Sequence, residues 1–332
     1  MKLVTLLAQG RERIGAVRED GRILDLQAGD PRLEVDMLAL VRRQDELLPL
    51  VRNLLADPDR PGLDPGSVQL LAPLPRPLSL RDGYAFRQHV ATARRNRGLD
   101  MIPEFDRFPV TYFSNHLAVV GPGPVQVQAH HLRRLDFELE VAAVVGRPVR
   151  DCSLEEADAA LFGFMIMNDW SARALQMEEM KLSLGPCKGK DFATSLGPWL
   201  VTRDELALEP SPQGSVLRAA MSAKVNGRRL SQGDAADMNW TFAQILQRTA
   251  YGVRVQPGEV LGSGTVGTGC LLELNGSKVT DDLWLAPGDR VVLEVAGLGR
   301  LDNTVVEVPG IQVPDTLVAL GPRRIPAEGA LP

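Results

Sequence analysis

Along residues 135–141, LDFELEV, acids and apolar side chains alternate: Asp136, Glu138 and Glu140 against Phe137, Leu139 and Val141. That period of two predicts a strand with one polar and one apolar face, and it lines up three carboxylates. Like charges so close raise one another's pKa, so the pattern requires either a positive partner, such as a divalent cation, or full screening by water. The second option is an ordinary amphipathic strand with a wet face. Another run, Phe162 to Met167, is apolar throughout and stops at Asn168-Asp169. It predicts a core strand that presents a carboxylate at its end, where reactive or liganding groups tend to be displayed.

Elsewhere the pattern predicts a mainly β, α+β chain. Residues 2–26 (VTLLA, RIGAVRE, RILDL) read as a small meander, and a helix is expected over Asp36 to Leu55 from Met37, Leu38, Leu40, Val41, Leu47 and Leu48. Pro58, Pro61, Pro65, Pro73, Pro75 and Pro77 then forbid a continuous helix or central strand and predict an extended linker. A boundary near residue 78 divides a small N-terminal β-rich domain (1–78) from a larger domain (79–332). In the latter, short β runs (TYFSNHLAVV, LEVAAVVG, AAMSAKVNG, VVLEV, TVVEV) alternate with helices near 84–97, 153–161 and 238–250. The turns Gln256-Pro257-Gly258-Glu259 and Ala286-Pro287-Gly288-Asp289 separate strands of a mixed sheet. The terminal PRRIPAEGALP reads as poorly ordered unless it docks on a partner.

Composition narrows the function. The 332 residues are 44% hydrophobic and 24% charged, enough for a sizeable core in a soluble protein, and the net charge of −5 argues against nucleic acid as a main partner. No apolar run approaches the ~18 residues that span a bilayer, and the first residues fall short of a secretory leader. Cys152, Cys187 and Cys270 are odd in number and widely spaced, which fits a reducing cytoplasm and no cysteine-based zinc site. Gly262 to Gly267 formally matches GxGxxG, but TGCLLEL after it reads as strand, where a dinucleotide fold needs a helix N-terminus. No Walker lysine, GxSxG or HExxH is present.

Four blocks occur together: Arg81-Asp82-Gly83-Tyr84 with Arg87-Gln88-His89; Leu135 to Glu140; Met167-Asn168-Asp169-Trp170-Ser171-Ala172-Arg173; and Gly262-Ser263-Gly264-Thr265 with Leu272-Glu273-Leu274. In this order they resemble the fumarylacetoacetate hydrolase family, short bacterial type. The resemblance implies a mixed β-roll with peripheral helices behind a small N-terminal domain, working as a homodimer. It matches Asp82, Glu138, Glu140 and Asp169 to the family's metal-binding carboxylates. An all-oxygen set suits a hard cation, Mg²⁺ first, with Ca²⁺ or Mn²⁺ as alternatives. Asp136 falls outside that set and is expected to make a salt bridge or turn contact.

The resemblance also pairs His89 with Glu273 as the group that draws a proton from water, an imidazole held on one nitrogen by a carboxylate. It sets Lys190, Gln176 and Arg173 around the substrate and the developing oxyanion, with Tyr84, Tyr112 and Thr265 as substrate contacts. Each of these residue types is also common as plain surface charge or core. The implied chemistry is metal-dependent hydrolysis of a C–C bond in an anionic β-diketone or 2,4-dioxo acid, in aromatic catabolism. The alternative is decarboxylation or isomerisation of a related 2-oxo acid; a silent metal- or metabolite-binding protein is the rival outside enzymes. Gly83, Ala85 and Phe86 depart from the family's bulkier or hydroxylated residues, which leaves the substrate open. Arg94, Arg95 and Arg97, just beyond His89, read either as a solvated helix end or as a group that draws the substrate's distal carboxylate to the pocket mouth.

Overall fold

The computed structural model describes residues 1–310; the PRRIPAEGALP tail lies outside them. The meander forms as β1 (Lys2–Ala8), β2 (Arg11–Val17) and β3 (Ile23–Asp25). The helix expected over 36–55 is two helices, α1 (Met37–Arg42) and α2 (Gln44–Leu55), which meet at Arg43. There the Gln44 amide turns away from its own helix to donate to Val41 O at 3.3 Å and Gly146 O at 2.7 Å. That second bond ties the corner, where Arg43 leaves the helical backbone at φ −106° and ψ 28°, to a residue a hundred positions distant. The proline-rich stretch is extended but is stitched down: Gln69–Leu70 pairs with β1, and Leu63 bridges Ile23.

Beyond it come β4 (Leu80–Gly83), α3 (Arg87–Arg95), β5 (Thr111–Ser114), β6 (Gly123–Val127), β7 (Leu139–Val145) and β8 (Leu161–Asp169). The chain continues through α4 (Arg173–Met180), β9 (Thr194–Thr202), β10 (Ala220–Val225), β11 (Arg228–Asp234) and α5 (Phe242–Thr249). It closes with β12 (Val260–Gly262), α6 (Leu271–Gly276), β13 (Arg290–Val295) and β14 (Gly299–Glu307). Nothing in the hydrophobic pattern had announced α4.

The larger sheet runs β3-β2-β1-β9-β8-β7-β12-β4-β5, and a second runs β11-β10-β13-β14-β6. β1 pairs antiparallel with β9, Lys2 opposite Val201, so hydrogen bonding crosses the residue-78 boundary and joins the N-terminal hairpin to the main sheet. All seven residues of β7 are buried. Leu139, Val141, Ala143 and Val145 face the larger core, while Ala142 and Val144 face a second core built with Leu40, Val41, Leu47 and Val51 of the N-terminal helices. The alternation is real, but its polar face is dry: Glu138 is 4% exposed and Glu140 0%. A wet amphipathic strand is thereby excluded: the N-terminal helices cover Ala142 and Val144, and Glu138 and Glu140 lie against Arg173, Lys190, Thr265 and Asp82.

Another correction falls on TGCLLEL, which forms helix α6 rather than a strand. Asp136 explains it: its carboxylate accepts from Leu271 N at 2.7 Å and Leu272 N at 3.0 Å, a helix cap supplied from far away in sequence. With those amides occupied and β12 followed by no parallel βαβ return, the glycine-rich segment still makes no dinucleotide site. The turn at 256–259 closes through Glu259 N to Gln256 O with Gly258 at φ +94°, the conformation a type II turn demands of its third residue. Among the described residues no helix is long and apolar enough to cross a membrane.

Candidate active site

β4, β7 and β8 bring their acids to one end of the sheet. Asp82 is the penultimate residue of β4, and its Oδ1 accepts from the amides of Gly83 (2.8 Å) and Gly264 (3.1 Å). The second bond explains the glycine: Gly264 has φ +78°, and a Cβ there would lie 2.6 Å from Gly83 O. Glu138 and Glu140 straddle the start of β7, and Asp169 closes β8. Carboxylate oxygens of Asp82, Glu138 and Glu140 lie within 4.8 Å of one another. Asp169 adjoins them through Lys190, whose ammonium donates to Asp169 Oδ2 at 2.5 Å and to Glu138 Oε2.

These acids are buried far beyond what like charges tolerate alone. Burial, then repulsion from Asp82, Glu138 and Asp169, drives the Glu140 carboxyl well above its usual range. Burial pushes Asp169 up to about 7 against the pull of Lys190, and Asp82 is raised for the same reason. Glu138 is the exception. Burial raises it, but Lys190, Arg173 and His89 outweigh burial and hold it well below the ordinary range. Two oxygens, Glu140 Oε2 and Asp169 Oδ1, are buried with no hydrogen-bond partner. Orphaned anionic oxygens beside a third carboxylate, without sulfur or imidazole, fit a hard divalent cation, so Asp82, Glu138, Glu140 and Asp169 could hold one.

A cavity of about 560 Å³ opens onto this cluster. Asp82, Tyr84, His89, Tyr112, Glu138, Arg173, Gln176, Lys190, Thr265 and Glu273 line it, while Glu140 and Asp169 sit behind. His89 on α3 and Glu273 on α6 face each other, Nδ1 to Oε2 at 2.6 Å, with exposures of 7% and 3%. Tyr84 meets the His89 ring edge-on, centroids 5.8 Å apart. Thr265 Oγ1 donates to Glu140 Oε1 at 3.3 Å, and Tyr112 donates to Asp169 Oδ2 at 2.6 Å, so both support the acids as well as the cavity wall.

Arg173 is more committed than its sequence role implied. Its Nε donates to Asp136 Oδ2 (2.8 Å), one terminal nitrogen to Glu138 Oε1 (2.7 Å) and the other to Gln176 Oε1 (2.9 Å). All three nitrogens have partners, and Asp136 couples the guanidinium to the cap of α6. Of the three neighbouring arginines only Arg97 lines the cavity, its Nε anchored on Ala93 O at 3.1 Å. Arg94 turns to the Asp100 carbonyl and Arg95 to the Thr92 hydroxyl.

One residue escaped the sequence reading altogether. Glu179, on α4, accepts from three successive amides, Cys187 (3.1 Å), Lys188 (2.7 Å) and Gly189 (3.2 Å), immediately before Lys190. A carboxylate held by consecutive amides fixes the backbone that carries the lysine, which makes Glu179 a positioning residue. No local signal ties an acid to amides eight to ten positions later.

The family model described as Fumarylacetoacetate (FAA) hydrolase C-terminal matches residues 79–306. Oxaloacetate tautomerase YisK of Bacillus subtilis (strain 168) is 26% identical over 327 residues, covering 92% of this chain and 100% of that protein. Among solved structures, fumarylacetoacetate hydrolase from psychrophilic Exiguobacterium antarcticum superposes with TM-score 0.71 at 26% identity, over 93% of this chain and 100% of that one. Maleylpyruvate hydrolase from Sphingobium sp. SYK-6, solved with manganese(II) and pyruvate, shares the fold at TM-score 0.69 and 20% identity, with the same coverage.

Proposed function

This chain belongs to the fumarylacetoacetate hydrolase family, and on that premise we propose that it is a cation-dependent hydrolase of a C–C bond in an anionic β-diketone or 2,4-dioxo acid. The observation that carries the reading is the buried His89–Glu273 pair on the wall of the cavity that the acid cluster closes. Hydrolysis needs activated water and an acceptor for the charge it creates, and both kinds of group face one space. Asp82, Glu138, Glu140 and Asp169 would hold a divalent cation, Mg²⁺ or the Mn²⁺ found with the Sphingobium structure, which would supply Lewis-acid polarisation of the substrate.

The chain's own residues do the rest. Glu273 accepts Nδ1–H of His89 and so leaves Nε2 as the basic nitrogen towards the cavity. His89 takes a proton from water as the oxygen bonds to the ketone carbon; the C–C bond then breaks, its electron pair leaves as an enolate, and that carbon regains a proton. Lys190 and Gln176 donate to the oxyanion, positions worth about 3 to 4 kcal/mol each when such donors are aimed well. Arg173 stiffens Glu138 and Gln176. Arg97 at the cavity wall receives a distal carboxylate. The reading extends to a homodimer, and to a reducing cytoplasm consistent with three unpaired cysteines.

A second reading is isomerisation, tautomerisation or decarboxylation of a 2-oxo acid, favoured by the full-length similarity to the oxaloacetate tautomerase. Product analysis separates the two. Acylpyruvates should yield pyruvate and a carboxylic acid, and chelation should abolish the activity; an exchange of keto and enol forms, or loss of CO₂ from oxaloacetate, with no acylpyruvate cleavage would establish the second reading.

A further inference from the structure

Cys270 is the fully buried cysteine of this chain, and the mechanism leaves it unused. Its sulfur, a ring nitrogen of His89 and a carboxylate oxygen of Glu273 all lie within 4.8 Å of one another. Cys270 stands at the N-cap position of α6 and Glu273 three residues on, a spacing that sets both side chains on one side of the first turn, facing α3. The thiol makes no side-chain hydrogen bond among the described residues, whereas the other two are already paired at 2.6 Å.

We propose that His89, Cys270 and Glu273 form a second, inhibitory cation site, selective for a thiophilic divalent ion such as Zn²⁺ and distinct from the all-oxygen cluster that takes the activating ion. Donor chemistry separates the two, and the site takes one cysteine with a histidine and a carboxylate, not the cysteine pairs whose absence from the sequence had argued against a cysteine-based zinc site. Imidazole, thiolate and carboxylate are the ligands zinc takes, three from protein with a fourth position open, while Mg²⁺ prefers oxygen and retained water. Charge also balances: a thiolate and a carboxylate offset the 2+ ion and the imidazole stays neutral, which buried sites require. His89 and Glu273 line the cavity, which gives an ion from solvent a route to the site.

On binding, the S–H bond breaks, its electron pair becomes the sulfur's bond to the ion, and the proton leaves to solvent. Burial, helped by Asp136, otherwise keeps that thiol protonated. An ion there breaks the His89–Glu273 hydrogen bond and ties up both partners, so no water is activated. The inhibition rests on His89 being the base; the binding does not.

The test uses the full chain and two readouts. In the first, metal-free protein is titrated with Co²⁺. Wild type should take up two ions, one with a thiolate-to-cobalt charge-transfer band in the near ultraviolet and with proton release, and Cys270→Ala should lose that band and one ion. In the second, Zn²⁺ is added to Mg²⁺-saturated enzyme. It should inhibit wild type, and Cys270→Ala should need at least about tenfold more Zn²⁺ for half inhibition, the least expected when a ligand contact is lost, with unchanged turnover in its absence. Should Cys270→Ala not fold, Cys270→Ser replaces it. No thiolate band in wild type, or equal band and Zn²⁺ sensitivity in the variant, overturns the site. A wild-type band with no turnover of any dioxo acid would overturn the hydrolase reading and leave this one standing.

Discussion

Replacing Asp169 with Asn tests the electrostatic account of the cluster most directly. The carboxyl is fully buried, and burial, partly offset by Lys190 and reinforced by Glu138 and Asp82, lifts it from 3.8 to about 7. The folded state thus holds that proton more tightly than the unfolded chain. Its contribution to stability is fully present below about pH 4 and is lost as pH rises through about 7. Three pH units at about 1.4 kcal/mol each amount to about 4 kcal/mol, of which about 3 falls between pH 5 and 8. That is a large share of a typical 5–15 kcal/mol. Tyr112 and Lys190 both donate to Oδ2, which the single amide oxygen of Asn can replace, but Asn cannot ionise. The assay is urea unfolding of chelated wild type and D169N at half-unit steps across this window. Wild type should lose about 3 kcal/mol relative to D169N as pH rises, with a midpoint that belongs to the coupled acids as a group. Added Mn²⁺ should restore wild type and leave D169N unchanged. Parallel pH profiles for the two proteins would refute the reasoning.

Further outcomes follow from the same geometry. Glu140→Ala removes one orphaned oxygen, so calorimetry should show Mn²⁺ binding lost together with activity; full activity after exhaustive chelation would remove the cation from the reaction. His89→Ala should lower acylpyruvate turnover by about 10²- to 10⁴-fold with Mn²⁺ affinity retained, and intact turnover would dismiss His89 as the base. Arg97→Gln should raise KM about tenfold or more for dicarboxylates, the worth of one charge-assisted hydrogen bond, more at low salt than high, and spare monocarboxylate analogues; equal effects on both substrates would return Arg97 to ordinary surface charge. Glu179→Ala should reduce kcat by about 10²-fold through misplacement of Lys190, with cation affinity unchanged and Glu179→Gln recovering most of the loss, since an amide oxygen still accepts from the loop; wild-type kcat in Glu179→Ala would end its positioning role.

Local chemistry is what the sequence could determine. The alternation of LDFELEV and the abrupt Asn168-Asp169 after an apolar run named Glu138, Glu140 and Asp169, because strand periodicity is a property of neighbouring residues, while Asp82, the His89–Glu273 pair and Lys190 came from the resemblance that the four ordered blocks carry. Burial is not such a property. Whether Glu138 and Glu140 face water or a dry interior depends on what folds over that end of the sheet, and Arg173, Lys190 and Thr265, which meet them there, are encoded 35 to 125 residues later. The helix at Leu271–Gly276 escaped for a like reason: its first amides are satisfied by Asp136, and that distant carboxylate, rather than the β-like look of TGCLLEL, decides the local backbone. Glu179 and the full commitment of Arg173 to Asp136, Glu138 and Gln176 likewise exist only once the chain is folded. A side chain's partner is set by packing across elements, and a buried charge must find its partner there, because water is no longer present to screen it.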